Sequence, residues 1–376
     1  MGSEEIACEK NTTSKRSHVA TVVNQITGVL AGKLSWNKAR LDCFALFIAS
    51  VLLQRTVNLV LLSVCSHRKG QTLSAYRRFQ RFLSGFDLPM PDVGKFILGL
   101  LPKPKEGFVL TMDRCVWQFG STPINLLFIG VVLGKMCFPI AWCSLPKRTD
   151  YGCSNPSSRM RVLEAALQVL GGRQVRVLLM DREFGGKRWL GHLDKRGVAY
   201  VVRVKSNIWI GTRKADWLGR GSRWKKHRHE RFKVCDQDVY FAGKSIASQR
   251  ASRLLVISNR FRGVEALELY RLRWGIELFF AHLKSRGLNF EDTHLRTGKR
   301  IERLCAVLAV AFVIAYRNGV RVQASVGCVL KKHGYRAKSL FRSGLEQIIR
   351  AFISEDLRLL ARIFSSLPAA LPWKHI

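Results

Sequence analysis

Acidic residues are scarce in this chain of 376 residues. There are 26 Asp and Glu against 63 Lys and Arg, which gives a formal net charge of +37. The cations are spread from end to end rather than gathered in one tail. Such an excess predicts a polyanionic partner such as nucleic acid. A membrane surface is the weaker alternative, because the chain has no basic amphipathic anchor segment.

Signals for secretion, membrane insertion and zinc binding are also missing. The N-terminal stretch is polar and mixed in charge, so no signal peptide is expected. The longest apolar stretches, residues 43–53 and 304–316, are shorter than the about 20 residues that a membrane helix needs. The ten Cys include no CxxC pair, which predicts reduced thiols and no structural zinc. We therefore expect a cytoplasmic protein with no membrane partner.

Helical periodicity dominates the first quarter of the chain. A polar lead to about residue 33 comes first, and apolar residues then recur with helical spacing from Leu34 to about Leu100. The segment LSAYRRFQRFL places Arg77, Arg78 and Arg81 on one predicted helix. These three cations either contact DNA phosphates or form a solvated basic face above an apolar stripe.

The pattern changes to strands after a break at Pro102. Predicted strands are Phe108–Asp113, Val116–Phe119, Leu126–Leu133, one that ends at Asp181, and residues 199–204, with helices at 157–170 and 186–195. Asp113 and Asp181 each follow a short apolar run. An acid at the C-terminal end of a buried strand lies where open sheets usually place ligand chemistry.

The stretch YRLRWGIELFFAHLK, from Tyr270 to Lys284, has polar residues at the spacing of one helix face. Arg273, Glu277 and Lys284 follow Tyr270 at offsets of three, seven and fourteen. At about 100° per residue these positions fall within roughly a 60° arc. Apolar residues fill most other directions, so a helix at Val264–Arg286 is predicted to pack in a core with one polar edge. The alternative is an ordinary surface ion pair between Arg273 and Glu277.

Residues 206–253 lack helical periodicity and are interpreted as a β-rich insertion. Trp209, Trp217 and Trp224 lie there among clustered cations. For each of these Trp residues, ordinary packing is the alternative to a role on DNA.

These motifs together resemble those of the DDE transposases of bacterial insertion sequences, specifically the insertion-sequence-four family. The family signature Y-x2-R-x3-E-x6-K matches Tyr270, Arg273, Glu277 and Lys284 without a spacing error. The likeness extends to TMDRCVWQFG around the first acid and MDREF around the second, and also to LSAYRRFQRFL upstream and HGYRAKSLFRSGL downstream. It covers nearly the whole chain after about residue 35.

The resemblance implies a metal-dependent enzyme whose catalytic acids are Asp113, Asp181 and Glu277. These acids would hold two Mg²⁺ ions, with Mn²⁺ able to substitute, for strand cleavage and strand transfer. The partners would be double-stranded DNA, both inverted-repeat ends and target, and a second copy of the chain in a synaptic homodimer. Two other functions stay open: a catalytically silent DNA-binding relative, and a ribonuclease-H-like nuclease that cuts without joining.

Further residues are implied to contact DNA rather than metal. These are Tyr270, Arg273, Lys284, Arg77, Arg78, Arg81, Trp209 and Trp224. Arg114 and Arg182, which directly follow the two Asp residues, are additional candidates for phosphate contacts, or they simply face solvent.

The implied fold class is α/β: a ribonuclease-H-like catalytic core with a β-rich insertion, preceded by an all-helical N-terminal domain and followed by a helical C-terminal tail. The expected segments are a polar lead (1–33), a helical DNA-binding domain (34–101), the first part of the core (102–205), the insertion (206–253), the second part of the core (254–325) and a helical C-terminal region (326–376).

Overall fold

A computed structural model describes residues 18–66, 72–146, 154–220, 229–245, 253–332, 334, 336–367 and 369. The chain divides into two compact units. The helical unit comprises Met1–Pro102, Gln118–Thr122 and Phe280–Ile376. The sheet unit comprises Lys103–Trp117 and Pro123–Phe279. Together they form a mixed α/β protein with one large mixed sheet and many helices.

The elements are numbered in chain order. The helices are α1 (residues 18–31), α2 (Lys38–Gln54), α3 (Leu59–Ser63), α4 (Thr72–Gly85), α5 (Met90–Gly99), α6 (Pro156–Leu170), α7 (Lys187–Lys195), α8 (Ala215–Leu218), α9 (Gly263–Arg271), α10 (Trp274–Leu283), α11 (Gly298–Val326), α12 (Leu340–Ile353) and α13 (Leu357–Ser365). The strands are β1 (Phe108–Phe119), β2 (Thr122–Leu133), β3 (Met136–Ser144), β4 (Val175–Met180), β5 (Tyr200–Arg203), β6 (Trp209–Ile210), β7 (Arg213–Lys214), β8 (Arg231–Val234), β9 (Gln237–Ser245) and β10 (Arg253–Ser258).

Helix α11 forms the core of the helical unit. It packs against α2, α4, α5 and α12. Gly319 permits the close crossing with α12, because a Cβ at this position would overlap the carbonyl oxygen of Leu340. Helix α11 is long and apolar enough to cross a bilayer, but 89% of its apolar 18-residue stretch is buried inside the protein. It is therefore a core helix, as the sequence predicted for residues 304–316.

Helix α1 contradicts part of the predicted polar lead. The expectation rested on composition, but Val19, Val22, Val23, Ile26 and Leu30 recur at helical spacing and are all buried. An apolar stripe of this kind anchors a helix even when the other positions are polar. The first part of the predicted lead lies outside the described residues.

The large sheet has eight strands in the order β3-β2-β1-β4-β5-β10-β9-β8. Strands β1, β4 and β5 are parallel neighbours, and β10 runs antiparallel to β5. Helix α9 packs on β4, β5, β9 and β10, and its apolar side joins a buried cluster with Val177, Val201 and Val256. This architecture is consistent with the ribonuclease-H-like core that the sequence led us to expect.

Two strand predictions were wrong in detail. Residues 108–113 and 116–119 form one continuous strand, β1, which runs through Arg114 and the buried Cys115. Strand β3 was not predicted, although nearly all of its side chains are buried. It contains Pro139, which has no N–H to donate, and β3 tolerates this residue because it lies at the edge of the sheet.

The predicted insertion is β-rich but joins the main sheet. Strands β8 and β9 continue the large sheet beyond β10 through antiparallel pairing. Strands β6 and β7 pair separately, as a two-stranded ribbon, and the short helix α8 follows them. The sequence indicated the type of local structure correctly, whereas the partner of each strand depends on long-range pairing that local patterns do not encode.

Candidate active site

The sheet brings the two predicted catalytic Asp residues together. Asp113 lies within β1, and Asp181 directly follows β4. These strands are parallel neighbours in which Met112 is paired with Met180. The next residue on each strand is the acid, so both carboxylates arise at the same level of adjacent strands. The two side chains are partly exposed, at 19% for Asp113 and 29% for Asp181.

The signature segment is two helices rather than the one predicted at Val264–Arg286. Helix α9 ends at Arg271 and α10 begins at Trp274. Between them the backbone makes tighter turns, with N–H groups bonded to carbonyls three residues earlier at 3.0 to 3.2 Å. Gly275 lies against the turn between β2 and β3, where an added Cβ would lie 3.1 Å from the amide nitrogen of Cys137. Helical periodicity alone gives no indication of this break.

Arg273 connects the signature segment to the first acid. Its Nη1 donates to Oδ2 of Asp113 at 2.9 Å, and its Nη2 donates to Oε1 of Glu277. Arg273 is only 7% exposed. Arg273 and Glu277 have the i,i+4 spacing of a surface ion pair. The Arg273 guanidinium is buried, however, and also bonds to Asp113, which is 160 residues away in sequence. The surface-pair alternative does not describe this arrangement.

Tyr270 contacts the second acid. Its hydroxyl donates to Oδ1 of Asp181 at 3.1 Å, and Nη1 of Arg203 lies 3.8 Å from the same oxygen. Burial raises the pKa of Tyr270 well above its usual value. The phenol therefore stays protonated at neutral pH and can act as a donor. Three of the four signature residues thus lie in one contact network with both Asp residues.

The electrostatics of Asp113 indicate an excess of negative charge at this site. Burial raises the pKa of Asp113 to about 6, an effect that the Arg273 guanidinium and the Arg114 N–H oppose. The charges of Glu183 and Asp181 contribute to this increase. Carboxylates that repel one another in a partly buried site are stabilised by a cation. Oxygen donors of this type are the ligands that Mg²⁺ prefers.

The donor chemistry therefore fits a hard divalent ion, but the side chains are not arranged around one. Among the described residues, no group of three His, Cys, Asp or Glu side chains is close enough to hold a metal. The Arg273 guanidinium lies between the carboxylates of Asp113 and Glu277 and pairs with both. The three acids would form one ligand set only after this guanidinium moves.

Four of the remaining predicted DNA contacts belong to the helical unit. In the helical unit, Lys284 pairs with Glu291 at 2.8 Å, so its amine already has an anionic partner. On α4, Arg77 and Arg81 are exposed and Arg78 is partly buried. Arg77 and Arg81 are therefore accessible to a ligand. Their exposure agrees with both interpretations of this helix, a phosphate-binding face and a solvated basic face.

Aromatic residues of the sheet unit differ in exposure. Trp209 is 61% exposed, whereas Trp217 is partly buried under the Arg213 guanidinium, 3.9 Å from the ring centre. Trp224 lies outside the described residues. Trp274 was not predicted as a site residue from the sequence. It is 57% exposed and lines an open cavity of about 670 Å³ with Tyr270 and Arg273. Its place between two signature residues was the available signal.

Two sets of polar residues beside the acids were also missed. Arg203 and Lys205 line a cavity of about 290 Å³ with Arg182. Glu183 forms a bidentate pair with Arg114, so Arg114 is not the solvent-facing residue that strand alternation allowed. The sequence signals were the alternating cations of VVRVK and the acid inside MDREF.

One comparison with known proteins identifies a related family. A family model described as a transposase DDE domain matches residues 155–314. This range includes Asp181 and Glu277 but begins after Asp113. No curated protein matches the chain. The family match supports a DDE transposase and, with it, the DNA transposition and recombination that such a domain performs.

Proposed function

We propose that this protein is a cut-and-paste DNA transposase of the insertion-sequence-four family. It binds the inverted-repeat ends of its element, cleaves DNA there and joins the ends to a target. The matched transposase domain supports the general class. The fourfold signature Y-x2-R-x3-E-x6-K supports the particular family, since all four residues are present at the right spacing.

The observation that carries this proposal is the contact network around Arg273. This guanidinium bonds to Asp113 and Glu277, and Tyr270, three residues earlier, bonds to Asp181. Residues up to 160 positions apart in sequence are thus joined through one segment. A buried guanidinium and a buried phenol that bond to three acids favour a functional rather than a structural role.

In this proposal Asp113, Asp181 and Glu277 hold divalent metal ions. Two Mg²⁺ ions would supply activation of the attacking oxygen and stabilisation of the leaving oxygen at a phosphodiester. Tyr270 orients the Asp181 carboxylate through its hydroxyl. Arg273 neutralises the acids until substrate binds. Its guanidinium then leaves the acids and binds a DNA phosphate, for which its planar, bidentate geometry is equally suited.

DNA is the partner that the charge of the chain favours. A net charge of +37 is spread over both units, and Arg77 and Arg81 are exposed on α4. We assign residues 34–101 to end binding and the core segments 102–205 and 254–325 to chemistry. Synapsis of two ends makes a homodimer on DNA the working assembly.

The test is a cleavage and joining assay with Mg²⁺ and duplex ends taken from the DNA that flanks the reading frame. The variant is Glu277→Gln, with Glu268→Gln, at an exposed position of α9, as the matched control. Wild type and control should nick the element boundary and join the 3′ end to target, while Glu277→Gln does neither and still binds ends. Specific end binding without cleavage by wild type would instead favour a silent DNA-binding relative, and cleavage without joining a nuclease.

A further inference from the structure

Arg159 on α6 is a buried guanidinium that holds the loop after Asp181. The residue is 4% exposed. It donates to the carbonyl oxygens of Glu183 at 3.0 Å and Gly185 at 3.2 Å. It also donates to Oγ of Ser154 at 2.9 Å and to the Ser154 carbonyl at 2.6 Å. One side chain therefore ties the start of α6 to the backbone that immediately follows the second acid.

The loop held in this way is short and directly coupled to Asp181. Residues Arg182–Phe184 form a single 3₁₀ turn in which the Phe184 N–H donates to the Asp181 carbonyl at 3.0 Å. The Phe184 ring is fully buried, with the Arg159 guanidinium 5.1 Å from its centre. Displacing the loop would therefore displace the Asp181 backbone as well.

The side chain of Glu183 reaches from this loop to the first acid's strand. Its two carboxylate oxygens accept from Nε of Arg114 at 2.6 and 2.9 Å, and Nη2 of Arg114 lies 2.5 Å from Oε2. Both side chains are largely buried, at 13% and 19% exposure. The main-chain N–H of Arg114, whose side chain is fixed in this way, donates to Oδ1 of Asp113 at 2.8 Å. A continuous chain of contacts thus runs from Arg159 through Glu183 and Arg114 to Asp113.

We infer that Arg159, Glu183 and Arg114 are positioning residues that fix the separation of the Asp113 and Asp181 carboxylates. This inference rests on the proposed function, because it assumes that these carboxylates hold divalent metal. Groups that orient metal ligands without touching the metal typically change metal affinity 10- to 100-fold when they are mutated. The three residues would act as one unit, since each fixes the next.

The contacts disfavour two other roles. A phosphate contact by Arg114 would compete with a bidentate, partly desolvated pair that already uses one edge of its guanidinium. A role for Glu183 as a metal ligand would require its two oxygens to leave Arg114, both of which now accept from that side chain. Each alternative predicts a different outcome in the experiment below.

The experiment measures Mn²⁺ binding to the full chain directly, from the electron paramagnetic resonance signal of free Mn²⁺. The variants are Arg114→Gln, Glu183→Gln, the double variant of these two, and Arg159→Lys. Each should bind Mn²⁺ 10- to 100-fold more weakly than wild type and still bind element ends with unchanged affinity. The Mn²⁺ affinity of the double variant should equal that of the weaker-binding single variant. The two losses of affinity should not multiply, because the two side chains act as a pair.

Arg188→Gln is the matched control for metal binding. Arg188 lies on α7, shortly after the same loop, is exposed and belongs to none of these contacts. Its Mn²⁺ affinity should equal that of wild type. Thermal unfolding of each variant tests whether the protein remains folded, and Glu183→Gln keeps the shape of the side chain if Arg159→Lys does not fold.

Three results would overturn the inference. Unchanged Mn²⁺ affinity in Arg114→Gln, with weaker end binding and a log-log salt slope reduced by about 0.9, would make Arg114 a phosphate contact. Complete loss of Mn²⁺ binding in Glu183→Gln, as in Glu277→Gln, would make Glu183 a ligand. Variants that match wild type in every respect would remove the positioning role. Failure of wild type itself to bind Mn²⁺ would instead contradict the proposed function, on which the inference depends.

Discussion

Each unit of this protein buries a guanidinium, and the partners of the two differ. In the sheet unit, Arg273 is 7% exposed and pairs with the carboxylates of Asp113 and Glu277. In the helical unit, Arg317 is 2% exposed and donates to the carbonyl oxygens of Leu100 and Ala369. Among the described residues, no carboxylate pairs with Arg317.

The pKa values of the two groups diverge in consequence. Burial and, to a smaller extent, the nearby charge of Arg321 lower the pKa of Arg317 to about 10. Burial acts in the same direction on Arg273, but its interactions with Tyr270, Asp113 and Glu277 outweigh burial and raise the pKa above the usual value. Arg317 joins main-chain carbonyls of the helical unit, which indicates a structural role, whereas Arg273 is surrounded by acids and marks a site whose charge must be managed.

The largest effect should come from Arg273→Lys. An ammonium keeps the charge but cannot bond to Asp113 and Glu277 as a planar fork. We expect single-turnover cleavage to fall by about 10²- to 10³-fold, with a shift of only a few degrees in the unfolding temperature. A large loss of stability with cleavage retained in the folded fraction would show that Arg273 is architecture too.

The matched substitution Arg317→Lys should have the opposite profile. A lysine can reach only one of the two carbonyls, so the other is left buried without a donor. We expect the free energy of unfolding to fall by about 2 kcal/mol in urea titrations, with the cleavage rate of folded protein unchanged. A selective loss of cleavage would break the distinction between the two guanidinium groups.

Metal binding should depend on pH through Asp113. Its pKa is raised to about 6, so the proton competes with the metal below that pH. We expect the Mn²⁺ affinity to fall about tenfold between pH 6 and pH 5. Without metal, the free energy of unfolding depends on pH in the opposite direction. The stabilisation that comes from the raised pKa of Asp113 is fully present below pH 4 and is lost as pH rises through 6. A flat affinity across this range would argue against Asp113 as a ligand.

The smallest effect concerns His282, a titratable group in the core of the helical unit. Burial lowers its pKa to about 4, and the positive charge of Arg286 adds to this. Its ring packs against Phe312 and Phe341. The pKa of His282 is lower in the folded protein than in the unfolded chain. The stabilisation from the neutral ring is therefore fully present above pH 6.5 and is lost as pH falls toward 4. At pH 5.5 we expect a loss of about 1 kcal/mol that His282→Phe abolishes in urea titrations.

Local sequence patterns predicted the parts of this site better than their connections. The runs before Asp113 and Asp181 identified β1 and β4, and the spacing of Tyr270, Arg273 and Glu277 identified residues that do meet. The expected single helix was wrong, because close packing of Gly275 on a neighbouring turn is a tertiary contact. The pairing of Arg114 with Glu183 was missed for the same reason: the two residues are 69 positions apart.

Composition was a poorer guide than periodicity. It led us to expect a polar lead before residue 33, where five buried aliphatic side chains anchor α1. Strand β3 escaped prediction because Pro139 is unfavourable inside a sheet and acceptable only at its edge, and edge position is a property of the assembled sheet. Lys284 had a correct spacing in the signature, yet its partner Glu291 was not foreseen.

The most direct test of the proposed function is anomalous diffraction from crystals of the protein grown with Mn²⁺ and a duplex element end. We predict Mn²⁺ peaks bound by Asp113, Asp181 and Glu277, with the Arg273 guanidinium withdrawn from Asp113 onto a DNA phosphate. Mn²⁺ bound elsewhere, with Arg273 still bridging Asp113 and Glu277 beside bound DNA, would contradict it.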